Sequence, residues 1–482
     1  MISLALTHLK RISGDTSSER CRGRCGKGNP IKSPLGEPFR SSLASSVLVI
    51  VIGGLFPVQA SETKSAIRIL RDECLSCHRP GKAKGGLLLH TREKMMVGGD
   101  SGEIVIPGKG SESLLLQVLH EDGDPHMPPK KQLSTDQVET ISRWIDAGAE
   151  WDAAVFDEPP SRKEVALSSP HPGYHAVLAL ALSPDTRYLA AAKANRVMLL
   201  DLQSGNPVLA GVLEGHTEPI QSLSWSGDGK RLASGGFQRV LVWETMERKV
   251  IREIKEPLVG DITGLAFGKD NGSLYVADGM AGGAGFLHQI DVAETKPAFT
   301  WKAHDDAICS LKVSPDGKHL LSGGADKNVR LWDTANRAMV ASLEGHTNHV
   351  LAVTFDKEGT RVASAGADRE IKIWNVANRE QIISLGDKKS VYTAIDWSAG
   401  HTLVVTTDKG AVSTYTEFKV HEGAQSGGGA KEKKLNAVTE TLNAVCSVPD
   451  GGRIFAAGFD GNVHVWDAKA GTSVPVNWNQ KL

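Results

Sequence analysis

The chain has 482 residues and a formal net charge of −1 at pH 7, so no strong overall field favours nucleic acid or an anionic membrane surface. Its length is enough for two or three domains, each with its own hydrophobic core. The 51 glycines favour an architecture with many tight turns. We therefore expect a multidomain protein that does not bind nucleic acid.

Residues 1–60 are predicted to be a presegment that contains a signal peptide. An apolar run at 43–57 follows several Arg and Lys residues, and Val58-Gln59-Ala60 has the small-residue pattern of a cleavage site. The run is shorter than the ~20 residues that a membrane span needs, which favours a signal peptide. We expect a periplasmic or otherwise exported protein, with membrane anchoring through residues 43–57 as the alternative.

Residues 61–151 are predicted to form a small all-α domain. Apolar residues recur with helical spacing before Cys74, and 113–120 is a second short helical segment. The clearest helix is 134–148, where Ser134 and Gln137 form a capping box and Gly148 marks the end. Its apolar face is formed by Val138, Ile141, Trp144 and Ile145. Residues 152–170 are rich in Pro, Ser and charge and are predicted to be a linker.

The segment Cys74-x-x-Cys77-His78 admits three kinds of site, namely structural zinc, a redox disulfide or a covalent haem, besides a chance match that holds nothing. Structural zinc needs four ligands, and this domain offers no second Cys or His pair at a suitable spacing. A thioredoxin-type motif needs a βαβ context, which the predicted helices do not give. A haem c needs two thiols one helical turn apart and a His directly after them. The pattern therefore predicts one covalent haem c on Cys74 and Cys77, with His78 as an axial ligand of the iron.

A second axial ligand is expected from the segment 124–134, which contains His126 and Met127. Prolines on both sides of these residues would stiffen the loop and fix the position of the Met127 sulfur. A Met/His ligand pair raises the haem potential and leaves no open coordination position, so it suits electron transfer. We predict Met127 as the ligand. The alternative is His126, with Met127 as a core residue.

From residue 171 onward the sequence repeats a unit of four short strands separated by Gly- and Asp-rich turns. Repeats of this length are typical of β-propeller blades. Seven copies begin near residues 177, 220, 262, 307, 349, 391 and 442. We therefore predict an all-β, seven-bladed propeller over 171–482. We also expect an extra loop at 422–437, and either 472–479 or 163–168 as the outer strand of the last blade.

Residues 67–149 resemble the cytochrome c domain found in many exported proteins of Planctomycetes and related bacteria. The resemblance covers nearly the whole domain. It is carried by Cys74-Leu-Ser-Cys77-His78, Gly85-Gly86, Gly98-Gly99, Ile106-Pro107-Gly108, Met127-Pro128-Pro129 and the stretch from Trp144 to Ala149. It implies haem c with His78 and Met127 as axial ligands, and it does not define a partner or a reaction.

Residues 171–475 resemble WD-repeat propellers, in which each blade carries a hydrogen-bonded set of His, Ser or Thr, Asp and Trp. The set is complete in two blades, at His304, Ser322, Asp326 and Trp332 and at His346, Ser364, Asp368 and Trp374. Blade 2 keeps His216, Ser234 and Trp243 but has Gln238 at the Asp position, and blade 7 keeps Asp460 and Trp466 but has Ala456 for the Ser. We assign these residues a structural role, because such a set satisfies its own buried polar groups.

These observations favour an exported c-type cytochrome for electron transfer, whose propeller docks a protein redox partner or another protein. No metalloprotease, phosphate-binding, esterase or calcium-loop motif is found in the repeats, so a binding platform is favoured over an enzyme and no catalytic residue is predicted. Two alternatives stay open. One is a redox enzyme with its reaction site in the propeller, fed by the haem, and the other is a haem-based scaffold or sensor.

Overall fold

The computed structural model describes residues 56–129, 131–160, 165, 167–171, 173–204, 206–294, 297–398, 401–419 and 429–476. Within these ranges, no helix combines the length and the apolar character needed to cross a membrane. The predicted signal peptide lies outside the described residues, apart from the backbone at its last few positions. Cleavage and anchoring through 43–57 therefore stay predictions.

The residues before the propeller form a small N-terminal module, which we define as residues 56–160. Its described residues form four α-helices: α1 (Phe56–Ile69), α2 (Arg92–Val97), α3 (Leu114–Gln117) and α4 (Thr135–Asp146). A π-helical turn (Leu70–Cys74), three short 3₁₀ segments (Lys84–Gly86, Gly110–Glu112 and Ala153–Asp157) and a two-stranded ladder of β1 (His78–Arg79) and β2 (Lys82–Ala83) complete it. The module has few helices, and its ladder and loops differ from the all-α domain that the sequence predicts.

Helix α4 begins and packs as its sequence predicts. The Ser134 side chain accepts a hydrogen bond from the backbone N–H of Gln137, and Gln137 Oε1 accepts one from the backbone N–H of Ser134. Ile141, Trp144 and Ile145 are buried in the module's hydrophobic core. The indole N–H of Trp144 is satisfied by the carbonyl oxygen of Glu150 at 2.7 Å. This helix therefore supplies one wall of the core.

The first part of the predicted linker, residues 152–160, packs on the module. Val155 is fully buried, and the rings of Trp151 and Phe156 stack with centroids 5.7 Å apart. The Arg71 guanidinium donates to the carbonyl oxygens of Val155, at 2.6 Å, and Glu158, at 2.9 Å. These contacts tie the segment to the turn that precedes Cys74. The domain limits 1–60, 61–151, 152–170 and 171–482 stay predictions.

The propeller consists of seven four-stranded antiparallel blades, as the repeats predict. Each blade is built from four consecutive strands, ordered from the inner to the outer edge. Blades 1 and 2 contain β3 (Val177–Leu182), β4 (Tyr188–Lys193), β5 (Arg196–Asp201), β6 (Val208–Glu214), β7 (Ser222–Trp225), β8 (Arg231–Gly235), β9 (Val240–Glu244) and β10 (Lys249–Ile254). Blades 3 and 4 contain β11 (Asp261–Phe267), β12 (Ser273–Gly279), β13 (Gly285–Asp291), β14 (Pro297–His304), β15 (Ile308–Val313), β16 (His319–Gly324), β17 (Val329–Asp333) and β18 (Met339–Leu343).

Blades 5 to 7 continue the same order. Their strands are β19 (Val350–Phe355), β20 (Arg361–Gly366), β21 (Ile371–Asn375), β22 (Gln381–Leu385), β23 (Tyr392–Trp397), β24 (Leu403–Thr407), β25 (Val412–Lys419), β26 (Gly429–Lys434), β27 (Leu442–Ser447), β28 (Arg453–Gly458), β29 (Val463–Asp467) and β30 (Ser473–Pro475). The prediction of an extra loop at 422–437 is wrong for residues 429–434, because these form the outer strand of blade 6. The exposed Lys and Glu side chains of this strand suit an outer edge.

The last blade takes its outer strand from β30, so the first of the two predicted closing segments is correct. Within the other segment, Val165 and Leu167 instead line a cavity of about 230 Å³ beside the loops of blade 2. Blades 7 and 1 meet through buried apolar side chains rather than through a shared sheet. This seam includes Val177, Leu189, Phe455 and Val463.

The two complete polar sets of the WD pattern are formed. In blade 4, Ser322 Oγ lies 2.8 Å from His304 Nε2 and accepts a hydrogen bond from the Trp332 indole N–H at 2.9 Å. The other ring nitrogen of His304 lies 2.9 Å from Asp326. Blade 5 repeats this arrangement with the residues predicted for it. Each set satisfies buried polar groups between the strands, as expected for a structural role.

Blade 2 completes its set with a residue that the repeat pattern does not indicate. Glu218 Oε1 lies 2.6 Å from His216 Nδ1, whereas Gln238, at the Asp position, donates to the carbonyl oxygen of Val259. Glu218 follows its His by two residues, and its longer side chain reaches back to the ring. The blade therefore keeps the carboxylate–imidazole contact without the expected Asp.

Candidate functional site

The residues of the Cys-x-x-Cys-His motif lie on one tight turn. Cys74 ends the π-helical turn, and its carbonyl oxygen accepts a hydrogen bond from the Cys77 N–H at 3.1 Å. His78 follows directly as the first residue of β1, and its carbonyl oxygen accepts from the Leu89 N–H at 2.9 Å. Both cysteines are free, partly buried thiols. The two thiols and the imidazole therefore come from five consecutive residues whose backbone is fixed at both ends.

Burial governs the electrostatics of this turn. It raises the pKa of the Cys74 thiol to about 12, and the Glu73 carboxylate and Cys77 add to the rise. Burial also lowers the pKa of His78, because the charged imidazolium is poorly solvated there. The buried Nδ1 of His78 has no hydrogen-bond partner among the described residues. An imidazole with a buried, unsatisfied nitrogen is able to ligate a metal.

The loop that carries the two candidate distal ligands is fixed on the same core. The Met127 N–H donates to the carbonyl oxygen of Val118 at 2.7 Å, and the Met127 side chain packs against the hydrophobic core that Cys74 also contacts. His126 Nε2 lies 2.6 Å from Gln132 Oε1, and the Gln132 amide donates to the carbonyl oxygen of Leu119. His126 thus has a side-chain partner, whereas Met127 points its apolar side chain to the core.

An ion pair joins this loop to the cysteine turn. Lys131 Nζ lies 2.7 Å from Glu73 Oε1, and the Glu73 side chain is only 10% exposed. Glu73 directly precedes Cys74, and Lys131 follows Met127 by four residues. The structure therefore brings the two predicted parts of the site together. Sequence reasoning missed this pair, because nothing in the spacing of two charges so far apart in the chain indicates a contact.

Glycines shape the loop after β2. The N–H of Asp100 donates to the carbonyl oxygen of Gly85 at 2.8 Å, and a Cβ at Gly99 would collide with that same carbonyl oxygen. Gly85 and Gly98 have positive φ angles, of 61° and 77°. The two glycine pairs of the sequence therefore allow two backbone segments to approach closely beside the loop that begins at His78.

Comparisons with known protein families match segments in both the N-terminal module and the propeller. Residues 74–131 match the family described as Planctomycete cytochrome C. Residues 207–243, 295–333, 337–375 and 431–467 match the WD domain, G-beta repeat family.

Curated relatives match parts of the chain at low identity. Cell division cycle 20.1, cofactor of APC complex, from Arabidopsis thaliana is 29% identical over 30% of this chain and 31% of the relative. Transcription factor unc-37 from Caenorhabditis elegans is 30% identical over 35% of this chain and 26% of the relative. Target of rapamycin complex subunit wat1 from Schizosaccharomyces pombe is 23% identical over 33% of this chain and 65% of the relative.

The chain spans less than half the length of the first curated relatives that it matches. The family matches and the seven blades nevertheless agree on its organisation. The chain forms a seven-bladed propeller in which four segments match the WD domain, G-beta repeat family, and this propeller is preceded by a segment that matches the Planctomycete cytochrome C family.

Proposed function

We propose that this protein is a c-type cytochrome that carries one covalent haem for electron transfer, and that its propeller docks a protein partner. The observation that carries the proposal is the ion pair between Lys131 and Glu73, which holds the Met127 loop against the Cys74–His78 turn. In sequence, these two segments are the candidate haem-attachment and distal-ligand segments, and the family match spans both.

The residues of the module fit a covalent haem. Cys74 and Cys77 are free thiols on one turn and would form the two thioether bonds. His78, with its unsatisfied buried nitrogen, would ligate the iron from one side. The partly apolar surroundings formed by the core beneath Cys74 would exclude water from the porphyrin.

Met127 is the better candidate for the second axial ligand. Its side chain packs toward the same core as Cys74, and its backbone is held by Val118. His126 already contacts Gln132 through Nε2, so ligation by that nitrogen would break a short hydrogen bond. A haem with Met and His ligands supplies one-electron transfer at a raised potential and has no open coordination position for a substrate.

The propeller is proposed to act as a binding platform for a protein. The histidines of the WD pattern, His216, His304 and His346, form hydrogen bonds inside their blades, which supports a structural role for them. The names of two relatives, a cofactor of APC complex and a complex subunit, describe proteins that assemble with others. Export to the periplasm or beyond is part of the proposal and rests on the sequence pattern of residues 43–60.

Spectroscopy of the purified chain tests the haem assignment. The oxidised protein should show a low-spin spectrum with the weak red absorption band of Met-to-iron charge transfer. The variant M127A should lose this band, and the matched control H126A should keep it. Absence of the band from the fully haem-loaded native chain, or its retention in M127A, would overturn Met127 as the ligand, and a chain without any covalent haem would refute the proposed function. One iron per chain is expected, and a second cofactor would favour the redox enzyme.

A further inference from the structure

Blade 3 carries a hairpin that extends beyond those of its neighbours. The cross-strand pair Val276–His288 encloses residues 277–287, whereas the corresponding pair in blade 4, Ser322–Arg330, encloses only 323–329. The ladder of blade 3 continues to the pair Gly279–Gly285. Two additional residue pairs lengthen a hairpin by about 7 Å, at about 3.4 Å per residue. We call residues 277–287 the projecting hairpin.

The projecting hairpin is held at the outer end of its ladder and at its tip by the entry to blade 4. A Cβ at Gly285 would clash with the Asp306 carbonyl oxygen and with Ile308, so glycine permits close packing here. At the tip, the Gly282 N–H donates to Asp306 Oδ1 at 2.8 Å. Gly282 has a φ of 76°, which an L side chain rarely adopts. The hairpin is therefore packed against the segment that leads into blade 4.

The N-terminal module contacts the projecting hairpin through Arg79, the residue that follows the candidate haem ligand His78. Arg79 Nη1 donates to the carbonyl oxygen of Gly282 at 3.3 Å. Arg79 pairs with Lys82 in the β1–β2 ladder, and Arg79, Lys82 and Lys84 are all exposed. The contact thus joins the loop that begins at His78 to the tip of the projecting hairpin.

Charge on the two sides is complementary. The β1–β2 loop, defined as residues 78–84, presents Arg79, Lys82 and Lys84. The entry to blade 4 carries Asp306, which binds the hairpin tip, and Asp305, which pairs with Lys302 at 3.0 Å. Opposite charges on facing surfaces orient a docking contact and make it sensitive to salt. The carbonyl acceptor at Gly282 suits an arginine, which offers several donors in a planar fork.

We propose that the projecting hairpin of blade 3 is the docking site for the β1–β2 loop of the same chain, with Arg79 as the residue that recognises it. The docking holds the loop that starts at His78 on the propeller. Because the interface shown is small and exposed, the docked state is reversible. The proposal rests on these contacts and not on the presence of a haem.

Hydrogen exchange of the full-length chain, followed by mass spectrometry, tests this docking. The variant R79A should speed exchange of the peptide spanning 279–285 roughly three- to fivefold, since one exposed charged contact is lost. R79K should restore part of the protection. The matched control K109A removes an exposed cation of the same module that pairs with Glu112, and it should leave this peptide unchanged.

A reciprocal variant tests the other side of the contact. Shortening the projecting hairpin, residues 277–287, to the length of residues 323–329 in blade 4 should speed exchange in the peptide 78–86 without affecting α4. Unchanged exchange at 279–285 in R79A, or an equal effect of K109A, would overturn the proposal. Protection that disappears on dilution would also overturn it, because the contact would then join two copies. The readout needs no haem, so a chain that fails to bind haem would refute the proposed function and leave this test intact.

Discussion

Replacing Lys131 by Ala should loosen the Met127 loop without unfolding the module. Lys131 is half exposed and Glu73 is 10% exposed, so the pair lies between a surface and a buried salt bridge. A pair of this kind contributes up to about 1 kcal/mol, which corresponds to about a fivefold change in an equilibrium constant. The substitution should therefore shift the equilibrium between bound and released Met127 by two- to fivefold at most.

Competition with imidazole measures this shift directly. Imidazole binds oxidised iron only when the Met127 sulfur has left, so its apparent Kd reports the population of the released state. In K131A the apparent Kd should fall about two- to fivefold, as the lost ion pair favours release. K131R should restore the native value, because the charge is kept. K109A, whose ion pair with Glu112 lies outside the two joined segments, should behave as the native chain.

An unchanged apparent Kd in K131A would refute the reasoning that the ion pair holds the loop on the site. A fall of the same size in K109A would show that the effect comes from net charge. Both outcomes would leave the haem assignment to be decided by the spectroscopic test.

Three further predictions concern packing and charge. S322A removes the shared partner of His304 and Trp332, and two orphaned buried groups should cost roughly 2–4 kcal/mol of unfolding free energy, measured by denaturant titration. Burial raises the pKa of Asp326, but the contact with His304 outweighs burial and lowers that pKa to about 2. A carboxyl group with a lowered pKa in the folded state stabilises the fold at pH values above its ordinary pKa, so the free energy of unfolding should fall as the pH drops from about 4 to 2. This fall should be less steep in D326N. R71A removes the donor that holds 155–159, so limited proteolysis should cut this segment faster than in the native chain. A parallel pH profile in D326N, native stability in S322A or an unchanged cleavage rate in R71A would each contradict the corresponding assignment.

The propeller could be predicted from the sequence because each blade repeats the same local pattern. The spacing of His304, Ser322, Asp326 and Trp332 within one repeat reports contacts inside a single blade, and the structure forms those contacts. Glu218 could not be foreseen in the same way. Its role depends on how far a longer side chain reaches back to His216, which a pattern of residue types does not show.

The sequence predicts the individual segments of the candidate site, but it does not predict the contact between them. The residue types at Cys74, Cys77 and His78 are informative through their spacing alone. The contact between Lys131 and Glu73 arises from the tertiary path of the chain, and only the structure brings the two segments together. The same holds for Arg79 and the projecting hairpin, which lie in different parts of the chain.

The central claim is that Cys74 and Cys77 hold a haem covalently, and a denaturing gel stained for haem peroxidase activity tests it most directly. The native chain, expressed with a haem-attachment system, should give a stained band at the mass of the haem-loaded chain. The double variant C74A/C77A should give a protein band without stain. A native chain that shows no stained band under these conditions would contradict the account, as would a band that persists in C74A/C77A.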